Sequence, residues 1–224
     1  MREVVLDTET TGLDPASGDR IVEIGCIELI DHMPTGETYH QYVNPERDIP
    51  AESFRIHGLS EAFLGDHPTF AEIVDEFLAF IGNDKLVIHN AGFDIKFVNA
   101  ELERLGFAPI PMSRAIDTVQ IARRRFPGAG ASLDDLCRRF GVDNTSRTLH
   151  GALLDSDLLA AVYVDLIGAR EPGLDLSARA NTVITVSERR DRPVRAPRPH
   201  AASPAERAAH AALLKKIQDP VWNT

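Results

Sequence analysis

Four acidic residues and one histidine stand out by type and position: Asp7, Glu9, Asp94, Asp155 and His150. Asp7 and Glu9 follow Val4-Val5-Leu6, an apolar run that reads as a buried strand. Two residues apart on an extended chain, both side chains point to one face of a sheet, on its core side or rim. Carboxylates at close quarters repel and lose hydration, and a hard divalent cation with oxygen ligands is the economical compensation. The simpler reading is a solvated Asp-Thr-Glu-Thr turn with local threonine hydrogen bonds. Asp94 ends His89-Asn90-Ala91-Gly92-Phe93-Asp94, where a strand gives way to a helix, and there the helix dipole alone would favour an acid. Asp155 is harder to dismiss. It shares a helical face with Leu159, Val162 and Leu166, where a carboxylate is expensive without a partner, whereas Asp157 and Asp165 fall on the opposite, solvated side. His150 lies just ahead of that helix. Singly, such a histidine is a polar residue at a helix entrance; with four acids at strand ends and helix starts, it belongs to a constellation.

The elements that must position these residues read as a mixed α/β pattern. After the first strand and a loop to Asp19, Arg20–Ile30 is a long strand. Pro34 and Gly36 turn the chain, and Thr38–Val43 is a third strand, so an antiparallel meander is expected. Phe70–Ile81 is an amphipathic helix, Leu86–Ile88 a short strand, and Phe93–Leu105 a helix with Ile95, Val98, Leu102 and Leu105 inward. Ala115-Ile116 is a short strand and Thr118–Phe126 a helix stopped by Pro127-Gly128. Ser132 caps a further helix ending near Gly141, and Gly151–Ile167 is the last helix of the body. The expected fold is a five-stranded sheet flanked by helices, over residues 1–168.

The remainder differs in composition. Residues 169–202 carry six arginines between Arg179 and Arg198 among prolines and alanines, the signature of a flexible linker. Ser203-Pro204-Ala205-Glu206 then reads as a helix start, with Leu213, Leu214 and Ile217 as apolar anchors and Trp222 beyond. A helix so short needs something to dock on. Residues 1–170 hold 15 Lys and Arg against 28 Asp and Glu, a net −13, and residues 171–224 hold 9 against 6, a net +3. An acidic body argues against tight nucleic-acid binding by bulk charge. It leaves a nuclease open, because metal ions bridge carboxylates to phosphate, provided a partner holds the substrate close. Cys26 and Cys137 sit among apolar neighbours as reduced core residues do in the cytoplasm. No signal peptide is visible, and no apolar run is long enough to span a bilayer.

Asp7-Thr8-Glu9, His89–Asp94 and Arg147-Thr148-Leu149-His150-Gly151-Ala152-Leu153-Leu154-Asp155 together resemble the motifs of the DEDDh 3′→5′ exonucleases. Ile56-His57-Gly58, Pro68–Glu72 and Ser132-Leu133-Asp134 extend the likeness across residues 2–168, closest to the members that proofread for bacterial DNA polymerase III. In the tail it rests on Ala208-Ala209-His210-Ala211 and Trp222. The resemblance implies a ribonuclease H-like fold, a bacterial cytoplasmic enzyme, and release of nucleoside 5′-monophosphates from DNA 3′ ends, single-stranded or frayed. It implies two Mg2+ or Mn2+ ions held by Asp7, Glu9, Asp94 and Asp155. Asp7 would bridge them, and His150 would be the general base. Asp7, Glu9, Glu52, His57 and Asp155 would also contact the terminal nucleotide. For residues 203–224 it implies docking on the polymerase III catalytic subunit. Gly173-Leu174-Asp175-Leu176 faintly resembles a sliding-clamp motif, though a linker with two leucines is the plainer reading. An exoribonuclease or repair exonuclease of the same family stays open, as does, from another class, an interaction module that stabilises a polymerase.

Overall fold

A computed structural model describes residues 1–145, 147, 149–169 and 201–217. The chain divides into two compact units, Met1–Leu174 and Asp175–Thr224. In the first, five strands lie in the order β3-β2-β1-β4-β5: β1 (Arg2–Thr10), β2 (Ile21–Ile30), β3 (Met33–Tyr42), β4 (Lys85–Ile88) and β5 (Ala115–Asp117). β1, β2 and β3 form the expected antiparallel meander, while β4 and β5 run parallel to β1.

The central strand is apolar on both sides because helices cover both faces of the sheet. Val4 and Leu6 face one core cluster, with Phe70 and Phe77 of α3 (Phe70–Ile81) and Phe97 and Val98 of α4 (Ala91–Arg104). Val5 faces the other, with Leu136 of α6 (Leu133–Phe140) and Leu159, Val162 and Leu166 of α7 (Ala152–Leu166). Strand parity therefore puts Asp7 and Glu9 on the α7 side and Thr8 on the α4 side.

Three expectations need correction. The β2–β3 turn is at Asp31-His32, both left-handed with φ of 49° and 69°, as a tight hairpin with the right twist requires. Pro34 and Gly36 lie inside β3 instead, which an edge strand tolerates because one side of it is unpaired. Two short helices, α1 (Ala51–His57) and α2 (Glu61–Leu64), occupy a stretch for which the sequence suggested no element. Too short to show an apolar period, they are fixed by their ends: Gly58 closes α1 in the left-handed conformation and Ser60 caps α2. α4 begins at Ala91, ahead of the expected Phe93, with Asn90 left-handed before it, and it stops at Arg104, so Leu105 caps the helix and is exposed rather than part of the buried stripe. Among the described residues of this unit the remaining α-helix is α5 (Thr118–Arg125).

One glycine sets how closely α7 approaches. Gly25 pairs with Asp7 across β1 and β2, and a Cβ there would overlap the backbone of Ala152 and Leu153. Without a side chain, β2 lets the first turn of α7 rest on it, and Ser156 Oγ donates to the Gly25 carbonyl at 2.9 Å. In the second unit, α8 (Pro204–Leu214) carries the expected capping box between Ser203 and Glu206, and none of its residues is buried. Residues 170–200 and 218–224, which include most of the expected linker, Gly173–Leu176 and Trp222, lie outside the described residues.

Candidate active site

Asp7, Glu9, Asp94, His150 and Asp155 all line one cavity of about 210 Å³, with Thr8, His89, Asn90, Phe93, Leu133 and Arg147 completing its wall. β1 supplies Asp7 and Glu9 from its C-terminal end. Asp94 enters from the first turn of α4, where its Oδ1 accepts from Thr8 N–H at 3.0 Å and from Thr8 Oγ1 at 2.8 Å. Thr8, pointing away from its acidic neighbours, thus locks α4 to the strand that carries them. Asp155 comes from the first turn of α7, held in place by the Gly25 contact. The preceding loop delivers His150, whose N–H donates to the Ile56 carbonyl of α1 at 3.0 Å.

Electrostatics show how crowded this negative charge is. Burial, and then the charges of Asp94, Glu9 and Asp155, push Asp7 well above its usual range. Burial with Asp155, Glu23 and Asp94 nearby raises Glu9 to about 8, and burial raises Asp94 to about 7. Asp155 behaves oppositely. Burial alone would raise it, but the Arg147 guanidinium beside it holds it below the ordinary carboxylate range. Arg147 donates from Nε and Nη2 to the two Asp155 oxygens at 2.5 and 2.6 Å, from Nη1 to Asp134 at 2.9 Å, and from Nη2 to His150 Nδ1 at 2.8 Å. A guanidinium has only donors, so His150 Nδ1 is an acceptor and its 3.2 Å approach to Asp155 Oδ2 is packing rather than a hydrogen bond.

Carboxylate oxygens gathered in a partly enclosed cavity, several of them with raised proton affinity, are a donor set suited to hard divalent ions. Among the described residues, Glu9, His150 and Asp155 have candidate ligand atoms mutually within 4.8 Å; Asp7 and Asp94 stand outside that trio. Glu52 and His57 are not in this cavity. They line an adjoining cleft of about 540 Å³ that shares Thr8, Glu9 and Phe93 with it. Glu52 is exposed on α1, whereas His57 is buried, accepts from Leu59 N–H at 3.0 Å through Nδ1, and has no hydrogen-bond partner at Nε2 among the described residues. Sequence reasoning gave no role to Arg147 or to Glu23, the buried acid opposite Glu9 whose Oε1 lies 2.7 Å from His40 Nε2. A basic residue three before His150 was the available signal for the first. For the second it was an acid inside an apolar strand.

Residues 4–163 match the family described as Exonuclease. The chain belongs to that family. Among curated relatives of this exonuclease, DNA polymerase III subunit epsilon of Rickettsia felis is 54% identical over 191 residues, covering 83% of each chain. The Escherichia coli protein of the same name is 45% identical over 177 residues, 75% of this chain and 72% of the relative. A solved structure of exonuclease X with 5′-overhanging duplex DNA is 28% identical, with a TM-score of 0.60 over 75% of this exonuclease and 92% of that chain. The nuclease domain of 3′hExo, a DEDDh protein bound to rAMP, shares the fold at 20% identity and a TM-score of 0.64, over 74% and 91%. This ribonuclease H-like exonuclease thus sits in a family whose chemistry depends on divalent metal ions.

Proposed function

We propose that this chain is the 3′→5′ proofreading exonuclease of DNA polymerase III, hydrolysing the terminal phosphodiester of a DNA 3′ end to release a nucleoside 5′-monophosphate. The observation that carries the reading is the meeting of Asp7, Glu9, Asp94, His150 and Asp155, drawn from one strand, two helices and a loop, in a single cavity. Asp7, Glu9, Asp94 and Asp155 would hold two Mg2+ or Mn2+ ions. Bound there, such ions would supply the Lewis acidity that stabilises the attacking and leaving oxygens. His150, on an exposed loop at the cavity edge, takes the proton of the attacking water as general base. Glu52 and His57 meet the terminal nucleotide in the adjoining cleft, together with Asp7, Glu9 and Asp155 at the scissile end. The free Nε2 of His57 supports this, since a buried polar atom without a partner suits a site completed by a ligand.

The choice of DNA over RNA rests on the relatives' names, because these groups act on a phosphodiester whatever the 2′ substituent. So do a cytoplasmic location and association with the polymerase III catalytic subunit. Residues 1–168 would be the nuclease, 169–202 a tether, and 203–224 the polymerase contact. The exposed Leu213 of α8 and Ile217 just beyond it support that last assignment. The test is digestion of 3′-labelled paired and mispaired DNA by the purified chain, with and without Mg2+. Metal-dependent release of monophosphates, faster from mispaired ends, is expected. No release, or wild-type turnover by a folded Asp7→Ala protein, would overturn the reading.

A further inference from the structure

Arg147 does two things at once that bear on the site's chemistry. Its guanidinium grips both oxygens of Asp155, at 2.5 and 2.6 Å, and it donates to the His150 ring nitrogen, Nδ1, that faces Asp155. Its remaining arm is anchored on Asp134 at 2.9 Å. The side chain is 10% exposed and that of Asp155 5%, so the pair is shielded from solvent. Resting on the assignment of Asp155 as a metal ligand, two consequences follow. A fork-on-carboxylate pair uses the same oxygens that a divalent ion needs. A guanidinium left beside a dication would also be strongly repelled in so dry a place.

We propose that Arg147 is an internal counter-cation that metal ions displace, a latch that swings off Asp155 when the site is loaded and so frees the His150 ring nitrogen. Asp134 serves as the pivot: it lies outside the cavity wall, in the first turn of α6, and keeps the arginine at the rim after release. The latch also explains how the cluster tolerates its own charge, since Arg147 is the one Lys or Arg side chain among the described residues lining the cavity.

A metal must compete with the latch, so removing the latch tightens apparent metal binding by the reciprocal of the fraction of molecules it had left open. A tenfold preference for the latched form would appear as about a tenfold tighter Kd. The experiment is calorimetric Mg2+ titration of the full chain as wild type, Arg147→Gln, Arg147→Lys and Asp155→Asn, alongside NMR of the wild-type Arg147 Nε–H signal. Arg147→Gln should bind Mg2+ on the order of tenfold more tightly, with Arg147→Lys in between. The wild-type Nε–H signal should shift as Mg2+ saturates. Unchanged or weaker binding by a folded Arg147→Gln protein, or an Nε–H signal that stays put at saturation, refutes the latch. The NMR arm needs no variant, so the proposal stays testable if Arg147→Gln fails to fold. Asp155→Asn separates the two ideas. If it abolishes binding while Arg147→Gln does not tighten it, the latch alone fails. If it binds as wild type does, Asp155 is no ligand, and the functional reading falls with the latch.

Discussion

Glu9→Gln isolates the strain stored in the acidic cluster. Glu9 is 8% exposed, and its carboxyl rises from 4.5 to about 8 through burial and its acidic neighbours. Between those values the folded protein holds a proton that the unfolded chain releases, so stability without metal falls as pH rises across that window. At about 1.4 kcal/mol for each tenfold in proton affinity, the penalty for ionised Glu9 is under about 1 kcal/mol at pH 5, about 3 kcal/mol at pH 7 and on the order of 5 kcal/mol at pH 9. A glutamine of the same shape carries none of it. Thermal melts in EDTA should show Glu9→Gln close to wild type at pH 5 and more stable by about 10 °C or more at pH 9, since 1 kcal/mol moves a domain of this size by about 2–4 °C. Saturating Mg2+ should reverse the order, because the wild-type carboxylate then gains a partner. A stability gap that does not vary with pH, or wild type more stable than the variant at pH 9 without metal, would refute the argument.

His150→Ala should lower turnover on single-stranded DNA by roughly 10²- to 10⁴-fold, with calorimetric metal affinity little changed; loss of the metal site with His150 would reassign it as a ligand. Gly25→Ala should destabilise by at least about 1–3 kcal/mol in denaturant melts, because the new methyl overlaps backbone rather than a movable side chain. It should also depress nuclease activity by shifting the first turn of α7. Truncation after Gly168 should leave hydrolysis of free single strands intact but abolish co-purification with the polymerase III catalytic subunit; full retention in a pull-down would move the contact onto residues 1–168.

Much of the site was legible because periodicity places it. Parity along β1 puts Asp7 and Glu9 on one face, and helical spacing sets Asp155 on the apolar stripe with Leu159, Val162 and Leu166, all buried here. Arg147 was not legible. No period governs a loop, and its partners Asp134, His150 and Asp155 are set by how α6 and α7 dock. Gly25 escaped for a related reason. Inside a strand it reads as a weak spot, and only the Ala152 backbone above it shows that closeness is its purpose. Pro34 and Gly36 misled because the residues that mark turns are also tolerated along an open sheet edge.

The position of α7 in the chain has a consequence for timing. It is the last helix of the first unit among the described residues, yet it covers Val5, Ile27, Leu29 and Val87 of the sheet and brings Asp155 to the acids of β1. While the protein is being synthesised, all five strands leave the ribosome before the residue that completes the cluster. A nascent chain short of α7 therefore has Asp7, Glu9, Asp94 and His150 but lacks Asp155, and the sheet face holding Val5, Ile27 and Leu29 is left with only α5 and α6 to cover it. Cutting power arrives with the closing of the core, in one late step, so a polypeptide still short of α7 carries no active nuclease.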